Sequence, residues 1–501
     1  MDKVRVRFAP SPTGPLHLGG VRTALYDYLF AKNQGGEFVL RIEDTDTARY
    51  VEGAEEYIEE ALEWCGIIAD ESPKKGGKFA PYRQSERRAI YDRYTEQILK
   101  TDYAYIAFDT AEELDAIRAE YEARGDVFSY DNRTRNQLRN SLTLSEEEVQ
   151  QLLDEKTPYV VRFRMPVDRT LNLEDIIRGK FSVNTNTLDD KVLVKNDGMP
   201  TYHFANIIDD HEMEISHVIR GEEWLPSLGL HTLLYEAMGW QAPQFAHLSL
   251  ILKPEGKGKL SKRDGDKFGF PVFPLDFTDP ATGNVSKGYR ESGYLPEAFI
   301  NMVALLGWSP ADDKEILSLD EMAKEFDLNK VHKAGARFSK EKAEWFNHQY
   351  MQQKSNEDLL QILKDSDLNL TLSDDKLLKV IHLMKERATF PKDIYENGKF
   401  FFEAPLSYDE KAAKKAWNEE TSGILQELAQ QLETVEFTAE NLKQAIHDFA
   451  ENKGLGMGKV MMPLRLSLVG ELKGPDVPDI MELLGKEETT VRINNAVNNF
   501  K

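Results

Sequence analysis

From Ala9 to Pro15 the chain reads Ala-Pro-Ser-Pro-Thr-Gly-Pro. Three prolines in seven residues forbid a regular element there, because each fixes φ and removes a backbone donor. Both flanks are regular. Over residues 3–8, Val4, Val6 and Phe8 alternate with basic residues, the period of a strand. Over residues 16–32, Leu18, Val21, Leu25, Leu29 and Phe30 fall close to helical spacing. Gly35-Gly36 ends that run, and residues 37–42 read as a second strand. The order predicts a β-loop-α-β unit, the opening of α/β folds that bind nucleotides above their strand ends.

With 501 residues the chain exceeds one core, and several domains of roughly 100 to 200 residues are expected. Glu-rich helical patterns at 51–64 and 85–100 complete a first segment, 1–100. Residues 101–190 read as an inserted α+β domain, with a polar helix-rich stretch at 111–153 and short strands at 159–165 and 180–183. The α/β texture returns over 191–252: strands at Val192-Leu193-Val194, Val218-Ile219-Arg220 and 247–252, and a helix at 228–238. Residues 253–325 form a connecting region. Almost all of 326–501 is amphipathic helix, for example 376–386 and 442–449.

A hydrophobic share of 41% beside 30% charged residues suits a globular chain, and no apolar window is long enough to span a membrane. The start lacks the apolar stretch of a secretory leader, so a cytoplasmic location is expected. The single cysteine, Cys65, excludes an intrachain disulfide and a multi-cysteine zinc site. Ala61, Leu62 and Trp64 around it predict a buried, inert thiol. The net charge of −23 opposes polyanion binding by the body as a whole, so a nucleic-acid partner requires a local basic stripe.

Two strings carry the chemistry. The first follows the opening strand and ends in His17-Leu18-Gly19-Gly20. A loop there aims amides and a helix N-terminus at a phosphate; His17 can donate to a phosphoryl oxygen, and Gly19 and Gly20 leave room for a purine. The alternative is a proline-rich turn with a capping histidine. The second, Lys259-Leu260-Ser261-Lys262-Arg263, lies in a glycine-flanked mobile loop. It is either a solvated basic loop or a lid that neutralises a polyphosphate leaving group.

As a pair the two strings resemble the HIGH and KMSKS signatures of class I aminoacyl-tRNA synthetases. Phe8-Ala-Pro-Ser-Pro-Thr-Gly14, Arg41-Ile-Glu-Asp-Thr-Asp46, Pro200-Thr-Tyr-His-Phe-Ala-Asn206 and Val218-Ile-Arg-Gly-Glu-Glu-Trp224 resemble the glutamyl-tRNA synthetases. Leu305-Leu-Gly-Trp-Ser-Pro310 and Met461-Met-Pro-Leu-Arg-Leu466 extend the likeness to the whole chain. The resemblance implies a Rossmann-type catalytic domain with an acceptor-binding insertion, a stem-contact region, and an all-α anticodon-binding C-terminal half of bacterial type. It implies catalytic roles for His17, Gly19, Gly20, Lys259, Ser261, Lys262 and Arg263. Glutamate would be bound by Arg7, Ala9, Ser11, Glu43, Tyr202, Asn206 and Arg220, with the two arginines on carboxylates and Glu43 on the amino group. ATP would be bound by Pro12, Thr13, Gly14, His17, Gly19, Glu223, Trp224, Leu260 and Lys262. Without the resemblance, Tyr202 and Trp224 read as core aromatics and Glu43 as a surface carboxylate.

The implied reaction is attack of the glutamate α-carboxylate on the α-phosphorus of Mg²⁺-bound ATP, then transfer to the 3′-terminal adenosine of tRNA-Glu. A nondiscriminating form would also charge tRNA-Gln. An inactive RNA-binding relative is opposed by intact Arg7, His17, Gly19, Arg220, Lys259 and Lys262. A monomer is expected. Arg133, Arg135, Arg139 and Arg387 read either as tRNA contacts or as ordinary surface arginines.

The chain departs from the family twice. Ala107, Asp109 and Thr134 stand where many members carry zinc-binding cysteines, so no zinc is expected. Residues 268–287 intervene before Tyr289-Arg-Glu-Ser-Gly-Tyr-Leu-Pro296; four phenylalanines among prolines and glycines predict an ordered excursion packed on the stem-contact region. Gly454-Leu-Gly-Met-Gly-Lys459 lacks phosphate-loop spacing and reads as a helix–helix connection.

Overall fold

The structure is a computed structural model that describes residues 3–46 and 48–500. Met1 and Asp2, the first residues of the stretch in which no leader is expected, lie outside the described residues. β1 (Arg5–Phe8) and β2 (Glu37–Leu40) pair in parallel, Arg5 opposite Glu37 and Phe8 opposite Leu40, and α1 (Leu18–Asn33) connects them. Both faces of β1 are buried, its basic residues included, as befits a parallel sheet. Each guanidinium therefore has a carboxylate: Arg5 meets Glu37 and Glu71, and Arg7 meets Asp210.

α2 (Ala54–Trp64) ends at Cys65, which is buried and whose thiol is pushed well up by burial. α3 (Arg88–Ile98) follows, and the chain then leaves the first layer. β3 (Ala104–Ala107) precedes α4 (Ala111–Ala123) and α5 (Glu146–Asp154), which both start in capping boxes, Thr110 with Glu113 and Ser145 with Glu148. β4 (Val160–Phe163), the hairpin of β5 (Thr170–Asp175) with β6 (Gly179–Asn184), and β7 (Val192–Val194) complete the excursion. The sequence groups β7 with the returning α/β layer. Its bonds instead go to β4, in the antiparallel sheet β3-β4-β7. Three apolar residues have no signal for which sheet they will join.

α6 (Tyr202–Glu212), which the sequence reading did not identify, leads to β8 (His217–Gly221), α7 (Leu228–Ala237), β9 (Gln244–Leu248) and β10 (Ile251–Leu252). β8 and β9 pair in parallel. The Ser216 amide donates to the Arg5 carbonyl at 2.9 Å, bringing β8 beside β1. The strand expected over 247–252 is thus two pieces, broken at Ser249-Leu250, where Leu250 donates to Glu222 rather than to a neighbouring strand. One core runs through both layers, joining Val39 and Phe245 to Phe163, Leu193, Phe204 and Leu233.

Beyond β10 come α8 (Lys262–Phe268), the short pair β11 (Phe277–Thr278) and β12 (Val285–Ser286), α9 (Pro296–Ala304), α10 (Leu319–Glu325) and β13 (Ala336–Arg337), which pairs with β10. The excursion at 268–287 is ordered and bonds the region expected, the Tyr289 amide donating to the Phe273 carbonyl at 2.9 Å and the Arg290 amide to the Pro274 carbonyl at 3.0 Å. It also bonds the opening unit, where Leu18 donates to the Val272 carbonyl at 2.8 Å and the Tyr57 hydroxyl to the Leu275 carbonyl at 2.7 Å.

The chain divides into two compact units. One takes in everything up to Ser292 with Pro296–Ala343; the other holds Gly293–Leu295 and the chain from Glu344 onward. The regular elements of the second unit are helices, among them Asp374–Met384, Ala439–Asn452 and Met457–Val469. The last of these starts inside the string expected to be a connection, so Met457, Gly458 and Lys459 are its first turn.

Candidate active site

The carboxyl ends of β1, β2 and β8 open onto one cleft of about 860 Å³, the side of a parallel sheet on which ligands bind. Arg7, Ala9, Ser11, Thr13, His17, Gly19, Gly20, Glu43, Tyr202, Asn206, Arg220, Glu223, Trp224, Lys259 and Leu260 line it. Pro12, Gly14, Ser261, Lys262 and Arg263 are not among its walls. The Pro12 carbonyl turns to the Val51 amide at 3.0 Å, and Gly14 stands at φ +132° with open space around it. Ser261 caps α8 through Asp264, Arg263 is exposed, and the Lys262 ammonium donates to the Ser286 hydroxyl at 2.8 Å. The string read as a mobile loop is therefore anchored: Leu260 is buried, its amide donates to Ile251, and the next residues are helix.

The electrostatics are those of an anion site backed by buried ion pairs. Arg7 Nε donates to Asp210 at 2.9 Å, and the same carboxylate oxygen accepts from Arg41 at 2.8 Å. Burial alone would raise the Asp210 carboxyl; Arg7 and Arg41 outweigh it and hold Asp210 below its ordinary range. Glu43 is buried rather than on the surface, and accepts from Arg41 at 3.1 Å and Asn206 at 2.9 Å. Burial raises its carboxyl, opposed by Arg41 and Arg7. Arg220 is 5% exposed; its Nη1 donates to the Tyr202 hydroxyl at 3.2 Å, while its buried Nη2 has no partner among the described residues. An unpaired buried guanidinium nitrogen calls for an acceptor from outside the chain. Trp224 stacks on Tyr202 with ring centroids 4.1 Å apart and remains partly exposed, a wall and not core.

His17 both caps α1 and lines the cleft. Its Nδ1 accepts from the Gly19 amide at 3.3 Å at the start of α1, so Nδ1 carries no proton and Nε2 does. That Nε2 is buried without a partner among the described residues. Burial, then Lys259, lowers the ring to about 4, which leaves it a neutral donor at pH 7. The two glycines differ. A Cβ on Gly19 would meet only His17 Nδ1 at 3.9 Å, leaving space for a ligand, whereas one on Gly20 would lie 2.5 Å from Leu16 Cδ1, so the need at Gly20 is internal packing.

Residues 3–345 match the family described as tRNA synthetases class I (E and Q), catalytic domain, and residues 341–497 match an anticodon binding domain. The chain belongs to the glutamate–tRNA ligase family of class I synthetases. Relatives named glutamate–tRNA ligase include one from Christiangramia forsetii, 57% identical over 100% of both chains, and one from Porphyromonas gingivalis, 56% identical over 99% of this chain and 98% of its own. A crystal structure of a glutamate tRNA ligase from Elizabethkingia meningosepticum in complex with its amino acid is 76% identical, covers 100% of both chains and superposes with a TM-score of 0.99.

The fold alone places two further residues. Arg135 is no surface arginine: it is 5% exposed and its Nη1 bonds Asp190 at 3.1 Å and the Met165 carbonyl at 3.0 Å. Lys195, which the sequence reading passed over, lines the cleft and donates to the Thr45 carbonyl at 3.4 Å. It follows β7 directly, so only the pairing of that strand puts it there.

Proposed function

We propose that the chain activates glutamate with ATP and transfers it to the 3′-terminal adenosine of tRNA-Glu. The carrying observation is that Arg7 and Arg220 line one cleft with His17, although they come from strands far apart in sequence. Two guanidinium groups suit the two carboxylates of glutamate, and Glu43, held ready by Arg41 and Asn206, suits its ammonium. Glutamine is nearly isosteric but leaves a buried guanidinium without an anionic partner, so the site selects by charge. Ala9 and Ser11 complete the amino-acid wall. Thr13, Gly19, Glu223, Trp224 and Leu260 border the nucleotide, with the His17 Nε2 proton directed to a phosphoryl oxygen.

The step is in-line displacement at the α-phosphorus: the carboxylate oxygen forms the new bond and pyrophosphate leaves. Lys259 faces the cleft, and Lys262 joins it once its bond to Ser286 is given up. Mg²⁺ enters as the counter-ion of ATP. Among the described residues the one group of three side chains spaced to hold an ion is exposed His447, Asp448 and Glu451, so no step is assigned to a protein-held metal. Absence of structural zinc is supported by the donors at the relevant positions. Asp109 accepts from the Tyr130 hydroxyl at 2.9 Å and the Arg139 amide at 2.8 Å, and Thr134 donates to the Ser129 carbonyl at 2.6 Å. One stoichiometric zinc in purified protein would contradict that reading. The protein is proposed to act as a cytoplasmic monomer.

The test is charging of separate tRNA-Glu and tRNA-Gln transcripts with labelled glutamate or glutamine in the presence of ATP. Glutamate on tRNA-Glu, with glutamine rejected, is expected. Equal use of glutamine, or no charging, would refute the reading; glutamate on tRNA-Gln would make the enzyme nondiscriminating.

A further inference from the structure

Arg220 is held from behind by a buried chain of hydrogen bonds that the reaction does not touch. Its Nε donates to His247 Nε2 at 3.0 Å, and His247 Nδ1 lies 2.6 Å from Asp175 Oδ2. Asp175 and His247 are 2% and 0% exposed. Asp175 ends β5, in the stretch read as inserted, and its carboxylate is fully engaged. Oδ1 accepts from the Ile177 and Arg178 amides at 2.9 and 2.7 Å, and both oxygens face the His247 amide at 3.1 to 3.3 Å.

The direction of every proton follows from the partners. Arginine only donates, so His247 Nε2 must present its lone pair; an ionised carboxylate only accepts, so His247 Nδ1 must carry the proton. We infer that Asp175 is a positioning residue: by fixing the proton of His247 on Nδ1 it orients the Arg220 guanidinium, and with it the unpaired Nη2 that receives a glutamate carboxylate. The inference rests on the proposed role of Arg220.

Asp175→Asn nearly preserves shape and tests this. The new amide oxygen keeps the Ile177 and Arg178 amides, and its NH₂ then faces His247 Nδ1 and donates to it. The ring proton moves to Nε2 and meets the Arg220 Nε–H, donor against donor, and the guanidinium turns away.

ATP–pyrophosphate exchange with tRNA present should show a KM for glutamate raised roughly tenfold or more, with the KM for ATP within about twofold of the wild type. His247→Gln, whose amide can accept from Arg220 while donating to Asp175, should hold the glutamate KM within about threefold. A glutamate KM in D175N within about twofold of wild type, or equal rises for glutamate and ATP, would overturn the inference. If D175N fails to fold, ¹⁵N spectra of the imidazoles in the wild-type protein at pH 7 decide, with H247Q assigning the signal. A neutral ring protonated at Nδ1 supports the inference, and protonation at Nε2 refutes it. Wild-type protein inert toward glutamate would instead sink the functional reading, while the spectra would still report on Asp175.

Discussion

At the residue scale, the cleft joins residues whose types were legible to residues whose environment was not. Arg7, Glu43 and Arg220 are named by their strings, yet the placement of each depends on a buried partner: Asp210, Asn206 and Arg41, and His247. Arg220→Lys keeps the charge and loses the fork, so the KM for glutamate should rise roughly 100-fold while that for ATP stays put. An unchanged glutamate KM would remove Arg220 from the amino-acid site. Lys262 has the signature position but rests on Ser286, outside the cleft. Lys262→Ala should depress exchange by roughly 100-fold or more, with tRNA binding retained in a filter assay. Full exchange in that variant would take the loop out of the mechanism.

At the scale of elements, strong periodicity was readable and short segments were not. α1 and the helix Ala439–Asn452 fall where apolar spacing put them, within a few residues. β5 and α6 have no clear sequence signal, and β7 reads as part of the other sheet, because three to eleven residues flanked by polar turns have no pattern separating one partner from another. The excursion at 268–287 reads from its sequence as ordered and packed on its own region, and its bonds to Tyr289 and Arg290 agree; its contacts with the opening unit have no sequence signal. The Tyr57 hydroxyl both donates to the Leu275 carbonyl at 2.7 Å and accepts from the Leu275 amide at 3.1 Å, pairing like a piece of strand. Leu275 is 1% exposed, so Tyr57→Phe strands two buried backbone groups. The variant should unfold at a lower urea concentration, with a loss of about 1 to 3 kcal/mol. An unmoved midpoint would mean that this bond pair does not hold the excursion.

At the scale of the molecule, the buried histidines set the response to acid. Burial lowers His17 and His203 to about 4, and His231 and His247 are also lowered by burial first. A group whose folded value lies below its unfolded value binds fewer protons when folded, so the stability tied to it is present above about 6.5 and is lost as pH falls towards 4. Asp210 and Asp175, held below their ordinary range, lose theirs lower still. At pH 5 the His17 and His203 shifts correspond to a loss on the order of 2 kcal/mol each. Thermal melts should show Tm dropping from pH 7 to pH 5; a flat profile would mean that these rings are protonated in the fold.

By itself the sequence determined the class of fold and the family, and it named residues that the fold gathers into one cleft. Proline breaks, helical spacing and the two signature strings are local, and local order is enough to say that a phosphate-facing loop follows a strand. It also marked Arg7 and Arg220 through their strings. The tertiary structure alone decided that Arg135 is an internal ion pair, that Lys195 reaches the cleft, and that Asp175 stands behind Arg220. The physical reason is distance along the chain: burial, tautomer and partner depend on groups that only packing brings together, and no spacing rule within one stretch encodes them.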